Sequence, residues 1–450
     1  MRISRYYPMI GYDAGLEIQD SLQREGFSLG AKTPLKSIDD STRDDHQFIR
    51  LKMTVSTDAD QTAIGIGELT QQWKTGNRNY FVYQPTTPVD FRFAVSSGRY
   101  AVEKIRYKEK NIEVYYHPSH HENVSHLVEN TKISLDYCQE NYGAYAGNTI
   151  RFAEVSSFTK GFAATAYPGS IFMTEQMIFH ANLGADKKQD VINELASHEL
   201  SHFWWGTGNI APDYREGAAV LTETLAMYTE LMITKEIYGR ERMLDNVNLH
   251  LGMYLDERGF EVERPLYKAN PDSRHLVYSK GAVVMYQLSE LLGEEKINKA
   301  LANLSKLHAW PNAAATTTDF INALYHVADV TQHSAIDDFF KKITSYDFRV
   351  TNTSITRKVN QYAVIFSIEA IKYYHDEKGN KTIQDFNDSL TIAVTDRNNK
   401  VKLFSIPIKT GSNKVEILTD QQPKSILIDP EIKFIRQRME PIALNGNIID

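Results

Sequence analysis

Two histidines four positions apart, His198 and His202, bracket a glutamate in the segment His198-Glu199-Leu200-Ser201-His202. An α-helix turns once in about 3.6 residues, so side chains at i and i+4 share a face. On a helix both imidazoles therefore reach one point, while Glu199, one residue past His198, faces a different side. The flanks predict that helix over roughly 188–205. Asp190-Val191-Ile192-Asn193-Glu194-Leu195-Ala196 contains neither Pro nor Gly, and Gly206 and Gly208 follow as stop signals. Leu195, Ala196, Leu200, Phe203, Trp204 and Trp205 are apolar, which predicts a buried helix. Buried imidazoles need partners, and a metal ion is one. The alternative, two surface histidines on an ordinary amphipathic helix, conflicts with these flanks.

H-E-x-x-H supplies two zinc ligands and a carboxylate free to act on water. Catalytic zinc takes three protein ligands and leaves one position open, whereas structural zinc takes four. A third histidine six residues after His202 is excluded, because position 208 is Gly. Glutamates on a following helix remain: Glu216 and Glu223, 14 and 21 residues after His202. Glu216 falls near the predicted start of a helix over 215–238, where the helix dipole alone favours an acid. Glu223 is flanked by Val220, Leu221, Leu225 and Ala226, and a carboxylate in apolar company needs a charged partner. That argument favours Glu223, as ligand to one zinc per chain.

The chain has 450 residues and a formal net charge of −7, with no basic block or basic-aromatic stripe, so nucleic acid is excluded as a partner. A single cysteine, Cys138, rules out an intramolecular disulfide and reads as a small buried apolar residue. No run approaches the roughly 20 apolar residues that span a bilayer, and no apolar run follows Met1–Tyr7 to make a secretory signal. The chain as given reads as a soluble domain.

Patterning divides it into three zones. Residues 1–46 are polar and weakly patterned, an extended or irregular lead-in. Short β-like runs follow at Phe48–Val55, Tyr80–Tyr83, Phe91–Val95 and Ile112–Tyr116. Helical periodicity takes over from about 122 to 345, at 124–139, 188–205, 215–238, 241–256, 279–292, 294–308, 316–328 and 335–344. Thr149–Val155 and Ser170–Thr174 interrupt it as β-like segments. Alternation returns after 350, with hairpin turns at 396–400 and 409–413. The expected organisation is α+β and multidomain. It comprises a β-rich N-terminal domain over 1–118, a mostly α catalytic domain over 119–348 and a small β-sandwich over 349–450. His117, His120 and His121, in a polar turn, read as a solvated loop.

His198–His202 followed by Phe203-Trp204-Trp205-Gly206 resembles the zinc helix of the gluzincins of the aminopeptidase N and leukotriene hydrolase superfamily. Thr222-Glu223-Thr224-Leu225-Ala226-Met227-Tyr228 is similar to that family's E-x-x-A-x-Y segment, although the family sets this glutamate slightly nearer the second histidine. Pro8–Asp13 and Tyr115–Pro118 look like segments of the bacterial branch joined to ABC-transporter-like permeases. The resemblance covers most of the chain and is most specific over 110–290. It implies a thermolysin-like catalytic domain, a peptide substrate, and zinc held by His198, His202 and Glu223.

Two further positions carry over. Tyr278-Ser279-Lys280-Gly281 resembles the family's Y-x-K-G, whose tyrosine hydrogen-bonds the developing oxyanion. Read from the residues, Ser279 caps a helix that starts just after Tyr278. Glu175, in Gly169-Ser170-Ile171-Phe172-Met173-Thr174-Glu175-Gln176, aligns with the glutamate of G-x-M-E-N that binds a substrate's free α-amine. Thr174, between Met173 and Glu175, departs from that pattern. The resemblance thus implies an aminopeptidase with Glu199 as general base. It also implies a membrane-embedded permease partner or fusion, tethered at the bacterial inner membrane through a larger protein. The alternative is a noncatalytic or regulatory module of a transporter-like assembly that retains the zinc site.

Overall fold

Val, Ile, Phe and Tyr recur in short runs through residues 53–116, and most of those runs form strands. The computed structural model describes residues 34–43, 48–157, 163–184, 189–208, 210–260, 262–444 and 448–449. The segment Pro8–Asp13 and most of the lead-in over 1–46 lie outside the described residues. The chain forms two units, one from residues up to 237 with 298–323, the other from 238–297 with 324–450.

In the first unit, β1 (Met53–Asp58), β2 (Glu68–Thr75) and β3 (Arg78–Gln84) form an antiparallel sheet with β3 in the middle. A second sheet contains β4 (Ala101–Tyr107), β5 (Lys110–Tyr116), β6 (Thr149–Val155), β7 (Ala164–Tyr167) and β8 (Ser170–Thr174), ordered β7-β8-β6-β5-β4. β5, β6 and β8 run parallel, and β4 and β7 close the edges antiparallel. The helix α1 (Val124–Tyr142) makes the crossover that parallel β5 and β6 require. Cys138 is fully buried on α1, as its apolar reading predicts.

The run Phe91–Val95, expected as a strand, is not one. Asp90 takes its backbone donors instead: Phe91 N–H donates to Asp90 Oδ1 at 2.8 Å and Arg92 N–H to Asp90 O at 2.6 Å. Local capping of this kind competes with a ladder. The helix predicted over 215–238 is also interrupted. Gly217 adopts φ +79, one 3₁₀ turn follows at Ala218–Val220, and α3 starts only at Glu223, running to Tyr238. Glu223 therefore lies in a first turn, not two turns inside a helix.

Helix α2 (Val191–Ser201) is capped by Asp190, whose Oδ1 accepts from Ile192 N–H and Asn193 N–H at 3.1 and 3.0 Å. Buried polar contacts fasten it to its neighbours. Asn130 on α1 donates to Asn193 on α2. Asn193 donates to Thr234 on α3 at 2.9 Å. Trp205 Nε1–H donates to Thr229 on α3 at 3.1 Å. Such directional contacts fix helix register in a way that apolar packing alone does not.

Arg215 and Asp213, each 1% exposed, form a buried ion pair at 2.7 Å, and the guanidinium also donates to the carbonyls of Asp40 and Thr42. Arg215→Met leaves the Asp213 carboxylate buried without its charge partner. Such a break costs about 3–5 kcal/mol. Chemical denaturation of the variant should show that loss, and a cost below about 1 kcal/mol would contradict it.

The second unit begins with α4 (Arg240–Glu257). A π-helical turn, His275–Lys280, then runs without a break into α5 (Gly281–Leu292). Ser279 is thus not a cap, and Tyr278 sits inside the helix rather than before it. Helices at Glu294–His308 and Thr317–Val327, most of whose residues belong to the first unit, and at His333–Phe340 match their expected positions, the last ending earlier than read.

Two sheets then face each other. One contains β9 (Ile343–Lys358), β10 (Gln361–His375) and β11 (Lys381–Gln384), and the other β12 (Asn387–Asp396), β13 (Val401–Lys409) and, after β14 (Gly411–Thr419), which pairs with β10, β15 (Pro423–Ile428). Phe348, Val364, Phe366 and Ile368 from the first pack against Leu390, Ile392, Val394, Ile426 and Ile428 from the second. This is the expected β-sandwich. Its longest strand, β9, escaped the sequence reading because its alternation is weak and a register shift between Thr351 and Ser354 breaks the period.

Candidate metal centre and active site

His198 and His202 sit one turn apart at the end of α2, with ring centroids 5.0 Å apart and planes at 84°. Both Nε2 atoms turn toward Glu223 Oε2, at 3.4 Å from His198 and 3.5 Å from His202. Tetrahedral zinc with bonds of about 2.0–2.1 Å sets its donor atoms about 3.3–3.4 Å apart. Each nitrogen-to-oxygen distance thus matches that of two ligands around one ion, and all three atoms lie within 4.8 Å of one another. The other ring nitrogens are engaged from behind, His198 Nδ1 by Glu230 Oε2 at 3.3 Å and His202 Nδ1 by the Trp205 carbonyl at 2.9 Å. That outer support directs both Nε2 lone pairs inward.

Electrostatics agree with a cation here. Burial alone would lower the His198 imidazole, but Glu223 and Glu230 outweigh it and hold the ring up to about 10. Burial works to raise Glu223, yet His202 and His198 hold its carboxyl well below the ordinary value. The surroundings favour positive charge between these groups. Glu223 also gains from the N-terminal end of α3, since a helix start favours an anion. The dipole argument first applied to Glu216 belongs to Glu223. Glu216 lies outside the cluster, its Oε2 accepting from Ile38 N–H at 3.3 Å.

Glu199 is 8% exposed. Burial raises its carboxyl, with the His202 and His198 imidazoles opposing, and the Ala166 amide on edge strand β7 hydrogen-bonds it. It takes no place among the three converging donors.

Glu175 follows directly on β8 and opens a π turn, Glu175–Phe179, its Oε1 accepting from Ser157 N–H at 3.2 Å. Together with His120 and Glu154 it forms a second group of ligand-type atoms within 4.8 Å of one another. There, His120 Nδ1 lies 2.5 Å from Glu154 Oε1. That is too close for two ligands of one ion and is a hydrogen bond. His120 is therefore no solvated loop residue. Its side chain is 15% exposed, clasped by a buried carboxylate and packed 3.9 Å from the His180 ring.

Tyr278 belongs to the second unit, in the π turn, where it is the partly exposed residue among buried neighbours. The Arg274 guanidinium lies 5.4 Å from its ring centre.

Glu230, which engages His198 from behind, is the residue of this cluster that sequence reasoning missed. The signal was present: it lies seven residues after Glu223 on the same helix, so both fall on one face. Glu230→Gln should weaken zinc affinity about 10–100-fold, the usual cost of losing an outer carboxylate. Chelator competition measures this, and unchanged affinity would remove Glu230 from the centre.

The group that could hold a metal ion thus comprises the two histidines of H-E-x-x-H and a glutamate from the next helix. Residues 127–343 match the peptidase family M1 domain, and this match, with the two aminopeptidases below, supports the aminopeptidase N-type gluzincin superfamily. It is 24% identical over 318 residues to aminopeptidase 2 of Candida albicans, covering 66% of this chain and 33% of that protein. It is 23% identical over 253 residues to aminopeptidase N of Escherichia coli, covering 53% and 28%. The chain thus aligns with about a third or less of these relatives' length. Aminopeptidase A of Legionella pneumophila, solved with aspartic acid, shares the fold with a TM-score of 0.57 and 16% identity, over 84% of this chain and 43% of that one.

Proposed function

We propose that the chain is a zinc-dependent peptidase of aminopeptidase type, with zinc held by His198, His202 and Glu223. The observation that carries this reading is the 3.4–3.5 Å convergence of both Nε2 atoms on Glu223 Oε2. The donor types suit zinc, and Glu230 and the Trp205 carbonyl fix the two rings. Zinc bound there supplies Lewis acidity and lowers the pKa of water from 15.7 toward about 7.

The chain's own groups do the rest. Glu199, its carboxyl raised by burial, accepts the proton of the attacking water and passes it to the departing amine. Tyr278 donates its phenolic hydrogen to the developing oxyanion, a role supported by the Y-S-K-G motif. The sequence context of Glu175 supports a role in accepting the substrate's α-amine. We read residues 1–118, 119–348 and 349–450 as the N-terminal, catalytic and sandwich domains. Attachment to a membrane permease rests on the sequence resemblance; among the described residues no helix is long and apolar enough to cross a membrane.

The test is a panel of aminoacyl substrates, their N-acetylated counterparts and internally quenched peptides, each with and without chelator. Hydrolysis confined to free amines and abolished by chelation is the expected result. Turnover of acetylated peptides at equal rates would overturn the aminopeptidase part. No turnover of any peptide by the zinc-loaded chain would favour a noncatalytic module.

A further inference from the structure

Lys280 is 1% exposed. A buried ammonium is costly, and a buried ion pair is often no more stabilising than apolar residues of the same size. What such a pair does contribute is a fixed geometry. Lys280 Nζ donates to Glu263 Oε1 at 2.8 Å. The same oxygen accepts from the Tyr254 hydroxyl at 2.6 Å, and Oε2 accepts from Arg258 Nε at 2.7 Å. One carboxylate thus ties the end of α4 to the last residue of the π turn. Tyr254 also reaches the turn's first residue, its ring stacking on His275 at 6.5 Å and 9°. Both ends of His275–Lys280 are therefore held by one cluster, and Tyr278 lies between them.

A π turn is an uncommon local state, found often at functional sites. It persists where surrounding contacts over-determine it. We propose that Lys280, through Glu263 and Tyr254, is a positioning residue that locks the π turn and so fixes the direction of the Tyr278 phenol. This rests on the reading of Tyr278 as the oxyanion donor. Lys280 itself stays out of the chemistry, being buried and committed to Glu263.

The test is a double-mutant cycle in the full zinc-loaded chain, with Lys280→Met, Tyr278→Phe and their combination. A donor displaced by about 1 Å loses up to about 10²-fold in rate. Lys280→Met should therefore lower kcat about 10–100-fold, leave KM within about twofold and keep one zinc per chain. Because it acts through Tyr278, the double variant should be no slower than Tyr278→Phe alone. Lys280→Arg should recover part of the loss. Should Lys280→Met not fold, Glu263→Gln carries the same cycle. A damaging Tyr278→Phe beside a silent Lys280→Met overturns the positioning role alone, as do losses that multiply in the double variant. A silent Tyr278→Phe beside a dead Glu199→Gln instead overturns the oxyanion reading, and the positioning role with it.

Discussion

Glu199→Gln should retain one zinc per chain and lose about a thousandfold or more in kcat, since general-base help is typically worth about 10²–10⁴. The amide is nearly isosteric with the carboxylate, so the helix and its two histidines stay in place. It also keeps an acceptor oxygen for the Ala166 amide, which now meets the carboxylate. What it lacks is a proton acceptor. Elemental measurement of zinc alongside steady-state rates separates the two effects. A variant that turns over within tenfold of the parent would remove Glu199 from the mechanism.

Glu223→Ala and Glu216→Ala make the second pair. Glu223 supplies the oxygen on which both imidazoles converge, so its loss leaves two nitrogen donors and should empty the purified chain of zinc, with activity following. Glu216 accepts a backbone N–H from Ile38 and donates its own to Lys36 O at 3.0 Å. Its removal should loosen that N-terminal stretch while zinc stays at one equivalent. Zinc retained by Glu223→Ala, or lost by Glu216→Ala, would reverse the assignment.

The pairing of His198 with His202 was legible because it is local. Four residues on a helix determine a shared face whatever surrounds them, and the apolar flanks announced burial. Glu223 was also legible, through the cost of a carboxylate in apolar company, although the helix around it was drawn too long. Gly217, the residue that ends the preceding segment, was in plain view. Its left-handed backbone was not predictable, because glycine adopts positive and negative φ about equally.

Long-range contacts were another matter. Nothing near Glu199 in the sequence points to the Ala166 amide, 33 residues away and delivered by an edge strand. His120 looked solvated in its polar turn, because Glu154 reaches it only after β5 and β6 lie side by side. The π turn replaced an expected serine cap because Glu263 and Tyr254 hold it from outside.

Residue order alone pointed to the groups proposed for the site, since helix period and side-chain chemistry act over a few positions. The fold decided how those groups are aimed, because Glu230, Ala166, Glu263 and Tyr254 act from separate segments, and only packing brings them within hydrogen-bond reach.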